Sequence, residues 1–569
     1  MRAPRVPQDG GGRRHDVDIL VIGGGIAGAG VALEAARRGL AVMLVEARDF
    51  AWGSSSRSSK LVHGGLRYLR EGAFGLTLES VRERGRLLRD APGLVEPQRF
   101  LMGHYEGRQP TRRTMSVGLA IYDAMGGART RSFHSPGELR VLAPHLATEG
   151  LLGASGYLDA KTDDARLVLR VLQEAQRHGA RVFNRAAVKS LLRAGDVDVP
   201  LSSLGPDGGA TARPGTVVGA RIEGPGFTGH VRARCVVNAT GAWADGVRRG
   251  LGAPMLRPLR GSHLVFPLWR LPLAQSVSLL HPRDGRPVFA TPWEGVALVG
   301  TTDLDHADDP DTEPRITREE TAYLLEAVRA AFPRLDLHAC DAIASFAGVR
   351  PGVDDRTAGG DPSKAPREHV VRDEQGLVTV TGGKLTTFRV NALDALRHAA
   401  PHLAARPQRA GFAPSLSAGD APDDEALAAM SPADFACRQA DAILAPLADE
   451  PALAALPHGL RTRLRGRHGP QAAALVREAA PAELELVPGT ATPWAELHWA
   501  LRHEQVRFLD DLLLRRTRLG LLMPEGGAAL LPRLEPVARE ALRWSAGEWR
   551  DQCERYVRLI AECYTVPAP

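Results

Sequence analysis

A glycine-rich turn near the N-terminus constrains this chain more than any other feature. Ile19-Leu20-Val21-Ile22 runs straight into Gly23-Gly24-Gly25-Ile26-Ala27-Gly28. A short apolar, β-branched run suits a buried parallel strand. Gly23, Gly25 and Gly28 then stand in the order G-x-G-x-x-G, which allows a tight turn, close backbone approach to a pyrophosphate, and close helix–strand contact. Residues 29–38 read as the following helix, stopped by Gly39, and residues 40–45 as a second strand with Glu46 at its end. Glu46 lies 18 residues beyond Gly28, where a carboxylate can accept from ribose hydroxyls and disfavours a 2′-phosphate. Strand, helix, strand and terminal acid agree on a dinucleotide-binding α/β unit, with NADP disfavoured as its ligand.

The rest of the chain is too long for one core. Its 569 residues (61.0 kDa) predict two or three domains. No uninterrupted run of about 18 apolar residues is present, so no membrane span is expected. Arg2, Arg5, Arg13 and Arg14 precede no apolar signal core; the apolar run after Arg14 is the nucleotide-binding strand itself, so a secretory or twin-arginine leader is not expected. Cys235, Cys340, Cys437, Cys553 and Cys563 are scattered without a C-x-x-C, which argues for a reducing compartment and against a structural metal. Net charge is +6, and only five of the 72 basic residues are lysines: Lys60, Lys161, Lys189, Lys364 and Lys384. Where lysine persists, a compact point charge is the expected reason. The arginines are dispersed without interleaved aromatics, which speaks against nucleic-acid binding.

Along the chain, residues 79–90 and 165–178 read as helices, and Val217 to Val237 as strands. Residues 193–216 read as a surface loop in a β-meander. Ser262–Phe266, Val288–Ala290 and Val296–Gly300 read as antiparallel strands of a second sheet. Thr317 and Glu320 form a capping box for a helix at 317–331. Residues 401–424, rich in Pro, Ala and Asp, read as a linker. Residues 425–569 are helical in pattern; Trp549, Cys553, Tyr556, Val557 and Ile560 share one helix face. The basic cluster Arg461–His468 reads as a solvated face.

Further motifs narrow the class. Ser58-Ser59-Lys60-Leu61-Val62-His63-Gly64-Gly65-Leu66-Arg67-Tyr68-Leu69 follows the first unit. Then come Val236-Val237-Asn238-Ala239-Thr240-Gly241, Arg260-Gly261-Ser262-His263-Leu264, Gly300-Thr301-Thr302-Asp303, Gly348-Val349-Arg350-Pro351 and Gly382-Gly383-Lys384-Leu385-Thr386-Thr387-Phe388-Arg389. In this order they resemble the FAD-dependent, quinone-linked glycerol-3-phosphate dehydrogenases, as do Arg502-His503-Glu504 and the run Leu509 to Leu519. The resemblance spans roughly residues 16–395 and 470–560. Ala27 and Ala242 depart from the family's usual Asn and Pro. The resemblance implies an α/β fold: a doubly wound FAD-binding domain like that of D-amino-acid oxidase, an antiparallel substrate-domain sheet, and a C-terminal all-helical cap. The expected layout is an interleaved FAD and substrate domain over 16–400, with the substrate sheet mainly in 71–150 and 255–345. A linker at 401–424 and a helical domain at 425–569 follow.

It further implies FAD as cofactor, sn-glycerol 3-phosphate as substrate, dihydroxyacetone phosphate as product, and electrons passed to a membrane quinone. The location implied is cytoplasmic, with peripheral contact to the inner membrane. No feature bears on oligomeric state. FAD would be held by Gly23, Gly25, Gly28, Glu46, Ser54, Ser55, Ser58, Ser59, Lys60, His63, Gly64, Gly65, Ala239, Thr240, Gly241, Gly382, Gly383, Lys384 and Leu385. Leu385 is expected to open a helix (385–398) whose N-terminal end faces the flavin. Arg350 and Arg367 match the family's phosphate-side arginines; Arg67 and Lys384 match its other active-site cations. Tyr68, Thr302 and Asp303 would shape the substrate pocket. His263 is the favoured base, with a pKa near neutrality by default, and Tyr68 and Lys384 are alternatives. No metal is expected. Rival readings are an oxidase using O₂ on the same substrate, an amine or amino-acid oxidase, and a catalytically silent flavoprotein.

Overall fold

The computed structural model describes residues 14–195, 215–353, 368–404, 442–444 and 450–567. Its first sheet has Arg14–Ile22 at the centre, paired in parallel with Gly229–Asn238 and Val42–Val45. Leu377–Gly382 and Arg181–Phe183 extend the parallel run outward on the two sides. Alternate residues of the central strand face opposite ways, as the pleat requires. Ile19 and Val21 pack under the helices Ile26–Ala36, Asp164–Arg177 and Phe388–Ala404. Leu20 and Ile22 pack on a β-meander of Ala187–Arg193, Val217–Glu223 and the first part of Gly229–Asn238. The linker expected at 401–424 starts later than its composition suggests. The helix runs through Pro401 to Ala404, held by Ala399, Ala400 and Leu403 in the core. The remainder of that stretch, Cys437, Arg367 and most of the loop at 193–216 lie outside the described residues.

A second, ten-stranded sheet lies beside the first. Leu256–Pro267 pairs antiparallel with Ala344–Val353 on one side and Val296–Gly300 on the other. Pro287–Trp293 and Ser276–Leu280 continue the sheet to Val95–Tyr105, Leu151–Thr162 and Leu61–Val62. It therefore also takes in a strand at 151–162, outside the stretches expected to supply most of it, and its strand Ala344–Val353 runs past the expected bound at 345. The Thr317 capping box is present: Thr317 Oγ1 accepts from Glu320 N at 3.2 Å, and Glu320 Oε2 accepts from Thr317 N at 3.0 Å.

Beyond residue 450 all the named elements are helical. Leu497, Leu509, Leu512, Leu513 and Tyr556 pack against Val265, Trp293, Leu298 and Phe346 of the second sheet. Trp549, Tyr556 and Ile560 are buried as their spacing predicts, whereas Val557 is 46% exposed. That helix stands at the rim, so its buried stripe is narrower than its apolar pattern.

The same helical region is tied to the first unit by charge. A π-helical turn, Asp511–Arg516, brings two consecutive arginines onto one carboxylate. Asp49 accepts from Arg515 Nε at 2.5 Å and from Arg516 Nη1 and Nη2 at 2.7 and 2.8 Å. An ideal α-helix would turn successive side chains about 100° apart. Arg166 forks onto Glu504 at 2.7 and 2.9 Å, and Arg467 reaches Asp163 at 2.9 Å. Arg467 and His468 are buried, so the solvated face expected at 461–468 is corrected at these two positions. Their partners Asp163, Glu496 and Glu504 come from elsewhere in the chain.

Burial alone would raise the pKa values of Asp49, Asp163, Glu496 and Glu504, but the facing arginines outweigh it and hold all four below the ordinary carboxylate range. A carboxyl depressed on folding stabilises the fold above its unfolded pKa of about 4, and that stability is lost as pH falls towards the folded value. Removing one partner of a buried ion pair costs about 3–5 kcal/mol. Asp49→Asn is expected to lose stability on that scale in urea denaturation at neutral pH. Its deficit should narrow on acidification below about pH 4; a deficit that stays constant with pH rejects the charge account.

Candidate active site

The cradle is built from the glycines upward. Gly23 leaves the strand at φ +112°, and a Cβ there would sit 2.5 Å from Ala239 O. A Cβ on Gly28 would sit 1.9 Å from Gly23 O, so strand end and helix start can approach only with glycine at both points. Gly25 stands at the N-cap of the helix Ile26–Ala36 and puts no side chain between the helix start and an anion. Ser55 Oγ accepts from Ile26 N at 3.0 Å. Glu46 accepts from Gly24 N and Arg48 N, both at 2.7 Å. A carboxylate has about four acceptor positions, so ribose hydroxyls remain within its capacity. Asn238, fully buried, shapes the second turn: its Oδ1 accepts from Thr240 Oγ1 at 2.7 Å, and its Nδ2 donates to Ala244 O at 3.0 Å. Gly241 follows at φ +60°.

The serine segment runs across to the second sheet. Ser54 Oγ donates to Val349 O at 2.5 Å, and Ser59 Oγ lies 2.8 Å from His263 Nε2. His263 stacks on Phe346 with centroids 4.7 Å apart, and its Nδ1 has no hydrogen-bond partner among the described residues. Burial, then the Lys60 ammonium, push its pKa down to about 3. The expectation of a histidine titrating near neutrality is corrected: this ring is neutral throughout the physiological range. Phe346 and Arg350 are four residues apart on one strand, so they share a face of the sheet. Arg350 pairs with Asp303, which Arg286 also reaches at 3.0 Å.

A third group approaches from the end of the strand Leu377–Gly382. Gly382 and Gly383 are both left-handed (φ +75° and +72°), and the helix begins at Phe388 rather than Leu385. The two glycines and the turn closed by Thr387 N on Lys384 O delay it. Leu385, partly buried, packs its side chain against the core of the first unit. Lys384 Nζ donates to Ser80 Oγ at 2.7 Å and lies 3.9 Å from the centroid of the Tyr68 ring. Thr386 Oγ1 donates to His63 O at 3.2 Å, which ties this turn to the segment His63-Gly64-Gly65. Gly64 N donates to Asp159 at 3.0 Å, and a Cβ there would collide with Tyr122. Arg67 pairs with Glu71 at 2.7 Å.

Three expected site residues take up framework positions. Thr302 Oγ1 donates to Glu320 at 2.7 Å and accepts from Ser262 N at 2.9 Å, deep in the sheet. Ser58 Oγ donates to Asp164 at 2.7 Å, and Lys60 Nζ donates to the same oxygen at 2.8 Å. Lys60 is fully buried, so its expected cofactor contact is corrected to an internal ion pair. The sequence assigns Arg286 and Glu320 no part in this region, since their roles here are set by partners distant in the chain. Among the described residues no cluster of three or more His, Cys, Asp or Glu could hold a metal ion.

A glycine cradle on the parallel strands of one sheet, opening onto a largely antiparallel sheet that carries a buried histidine and an arginine, defines a two-sheet dinucleotide oxidoreductase. Residues 18–389 match the family model described as FAD dependent oxidoreductase, and the chain belongs to that family. Residues 433–548 match the C-terminal domain of alpha-glycerophosphate oxidase. The chain is 38% identical over 387 residues to an aerobic glycerol-3-phosphate dehydrogenase of Staphylococcus saprophyticus, a match covering 67% of this chain and 66% of that protein. It is also similar to a solved structure of glycerol-3-phosphate dehydrogenase from Bacillus halodurans complexed with FAD. There the TM-score is 0.67 at 26% identity, covering 96% of this chain and 94% of that one. L-alpha-glycerophosphate oxidase from Mycoplasma pneumoniae shares the fold at TM-score 0.50 and 19% identity, over 68% of this chain and 95% of that one.

FAD is the family's cofactor, and the glycine at the helix start, the paired close approaches at Gly23 and Gly28, and the Glu46 carboxylate fit its pyrophosphate and ribose. Gly28→Ala is expected to abolish FAD retention, measured as the ratio of flavin to protein absorbance, while circular dichroism still reports helix. Full flavin content in that variant would contradict the cradle.

Proposed function

We propose that this protein oxidises sn-glycerol 3-phosphate to dihydroxyacetone phosphate. The observation that carries the reading is the joint match to a FAD-dependent oxidoreductase unit and a glycerophosphate oxidase C-terminal domain, on a chain that keeps arginine and lysine at the cleft between its sheets. Bound FAD supplies a hydride acceptor at its N5. The chain's own residues do the rest. Arg350, with Lys384, Arg67 and Arg367, grips the phosphate dianion, each charge-assisted bond contributing roughly 1.5–3 kcal/mol. Asp303 holds the Arg350 guanidinium in place from behind. Tyr68, under the Lys384 ammonium, bounds the pocket.

His263 takes the C2 hydroxyl proton as the C2 hydrogen leaves with its electron pair. A base must be unprotonated before turnover, and burial secures that. Two negative charges on the bound phosphate then raise the ring's proton affinity. The electrons pass on to a membrane quinone, through peripheral contact on the cytoplasmic side of the inner membrane. Among the described residues no helix is long and apolar enough to cross a membrane.

A second reading, O₂ as acceptor, is favoured by the oxidase match of the C-terminal region. Anaerobic addition of glycerol 3-phosphate should bleach the bound flavin; an unbleached flavin rejects the substrate assignment. Reoxidation then divides the two readings: rapid stoichiometric hydrogen peroxide marks the oxidase, and reduction of a soluble quinone with little peroxide marks the dehydrogenase. Arg350→Ala is expected to lower kcat/KM by about 10–100-fold. Near-normal efficiency in that variant would remove Arg350 from the phosphate site.

A further inference from the structure

The serine segment that touches His263 is gripped from behind by two cations. Lys60 Nζ and Arg518 Nη2 both donate to the Ser56 carbonyl, each at 2.6 Å. Arg518 comes from the C-terminal helical region, is 1% exposed, and holds a left-handed backbone at φ +66°. Its Nη1 donates to Leu514 O at 2.5 Å, and Nη2 lies 3.4 Å from Asp164 Oδ1. Asp164 takes Lys60 and Ser58 on its other oxygen. Both cations lie near the Trp293 ring, at 5.7 and 5.8 Å from its centroid, and Lys60 lies 4.7 Å from the centroid of Phe346, on which His263 stacks.

We infer that Arg518 is a positioning residue for His263. From the C-terminal region it fixes the Ser56–Lys60 segment, and so fixes the Ser59 hydroxyl and the Phe346 face between which the imidazole is held. The inference deepens the functional reading above and rests on it for the catalytic consequence. Lys60 is the charged group bearing on the imidazole; Phe346 and Gly300, from the flanking strands, bring no charge. Behind Lys60 stand Arg518, Asp163 and Asp164. The ring lies directly over Gly300, where a Cβ would sit 2.1 Å from His263 Cδ2. The helical region thereby acts on the proton-accepting group without reaching the substrate.

The test uses the FAD-loaded, full-length enzyme with Arg518→Met and Arg518→Lys. In Arg518→Met, flavin content and melting should show a folded holoenzyme. The rate of anaerobic flavin reduction should fall about 10–100-fold, the penalty of roughly an ångström of misplacement, with KM changed less than about threefold. The His263 ring, followed by NMR, should become easier to protonate, rising from about 3 towards the ordinary histidine range as burial is relieved. Arg518→Lys should recover part of the rate. An unmoved His263 titration, or a rate loss that merely tracks flavin loss, overturns the inference. Should Arg518→Met not fold, Ser59→Ala, which removes only the contact to the ring, should show the same rate loss, and an unchanged rate there overturns the inference. His263→Ala separates the two claims. Normal flavin reduction in that variant removes the base role, while a moved His263 signal in Arg518→Met still upholds the positioning.

Discussion

The Asp49 carboxylate and the two guanidinium groups closed around it hold this molecule together. Asp49 lies just past the second strand of the nucleotide-binding unit, and its partners are 466 and 467 residues further along. None of the three groups is more than 2% exposed. In such a place an unmatched charge costs several kcal/mol, and a matched one only roughly breaks even. The pairing therefore supplies specificity: one arrangement satisfies every charge, and a displaced helical region leaves several stranded. The loop that carries Asp49 also carries Glu46, so the geometry offered to a ribose depends on a turn at the far end of the chain.

Composition follows from this arrangement. A guanidinium presents several donors in a rigid plane and can serve more than one acceptor, whereas an ammonium is a strongly hydrated point. Arg166 serves both oxygens of Glu504 and the carbonyl of Arg516; Arg463 serves Glu496, Glu294 and Thr492. A fork serves several acceptors at once where a single point would leave some unserved. Lys60 is the exception, and its surroundings explain it. Wedged among Trp293, Phe346 and Asp164, it is lowered to about 7 by burial and by Arg518.

What could be read from the sequence was what local chemistry dictates. The G-x-G-x-x-G turn, the strand before it, the acid after it and the capping box at Thr317 all follow from rules that operate within a few residues. The motifs at Ser58–Leu69, at His263 and at Arg350 were recognisable as segments, and the structure brings those three segments against one another. What local rules could not convey was the state of each group. His263 has an ordinary sequence context and an extraordinary neighbour in Lys60. Arg467 and His468 sit in a run that any charge pattern would assign to solvent, yet their acids come from Asp163, Glu496 and Glu504. Thr302, Ser58 and Lys60 stand inside motifs of the site but spend their polar atoms on the scaffold. The helix after Gly383 starts late because two left-handed glycines must be accommodated first, and a periodicity count does not register backbone handedness.

A cleft that oxidises an alcohol next to a phosphate dianion needs two properties that oppose each other. It must be dry, so that cations grip the phosphate strongly and the proton acceptor is empty. It must also be rigid, because in a dry site the geometry sets the strength of every contact. Burial alone gives dryness and leaves the polar groups in search of partners. Here the search ends outside the cleft: Asp303 steadies Arg350, Ser80 steadies Lys384, and the Ser56 carbonyl anchors the Ser59 hydroxyl that meets His263. Each group facing the cleft thus has its counter-group one layer back, and for the serine segment that layer is the C-terminal region. Through Arg518 on the Ser56 carbonyl, the helical region accordingly adds to the rigidity of the proposed site.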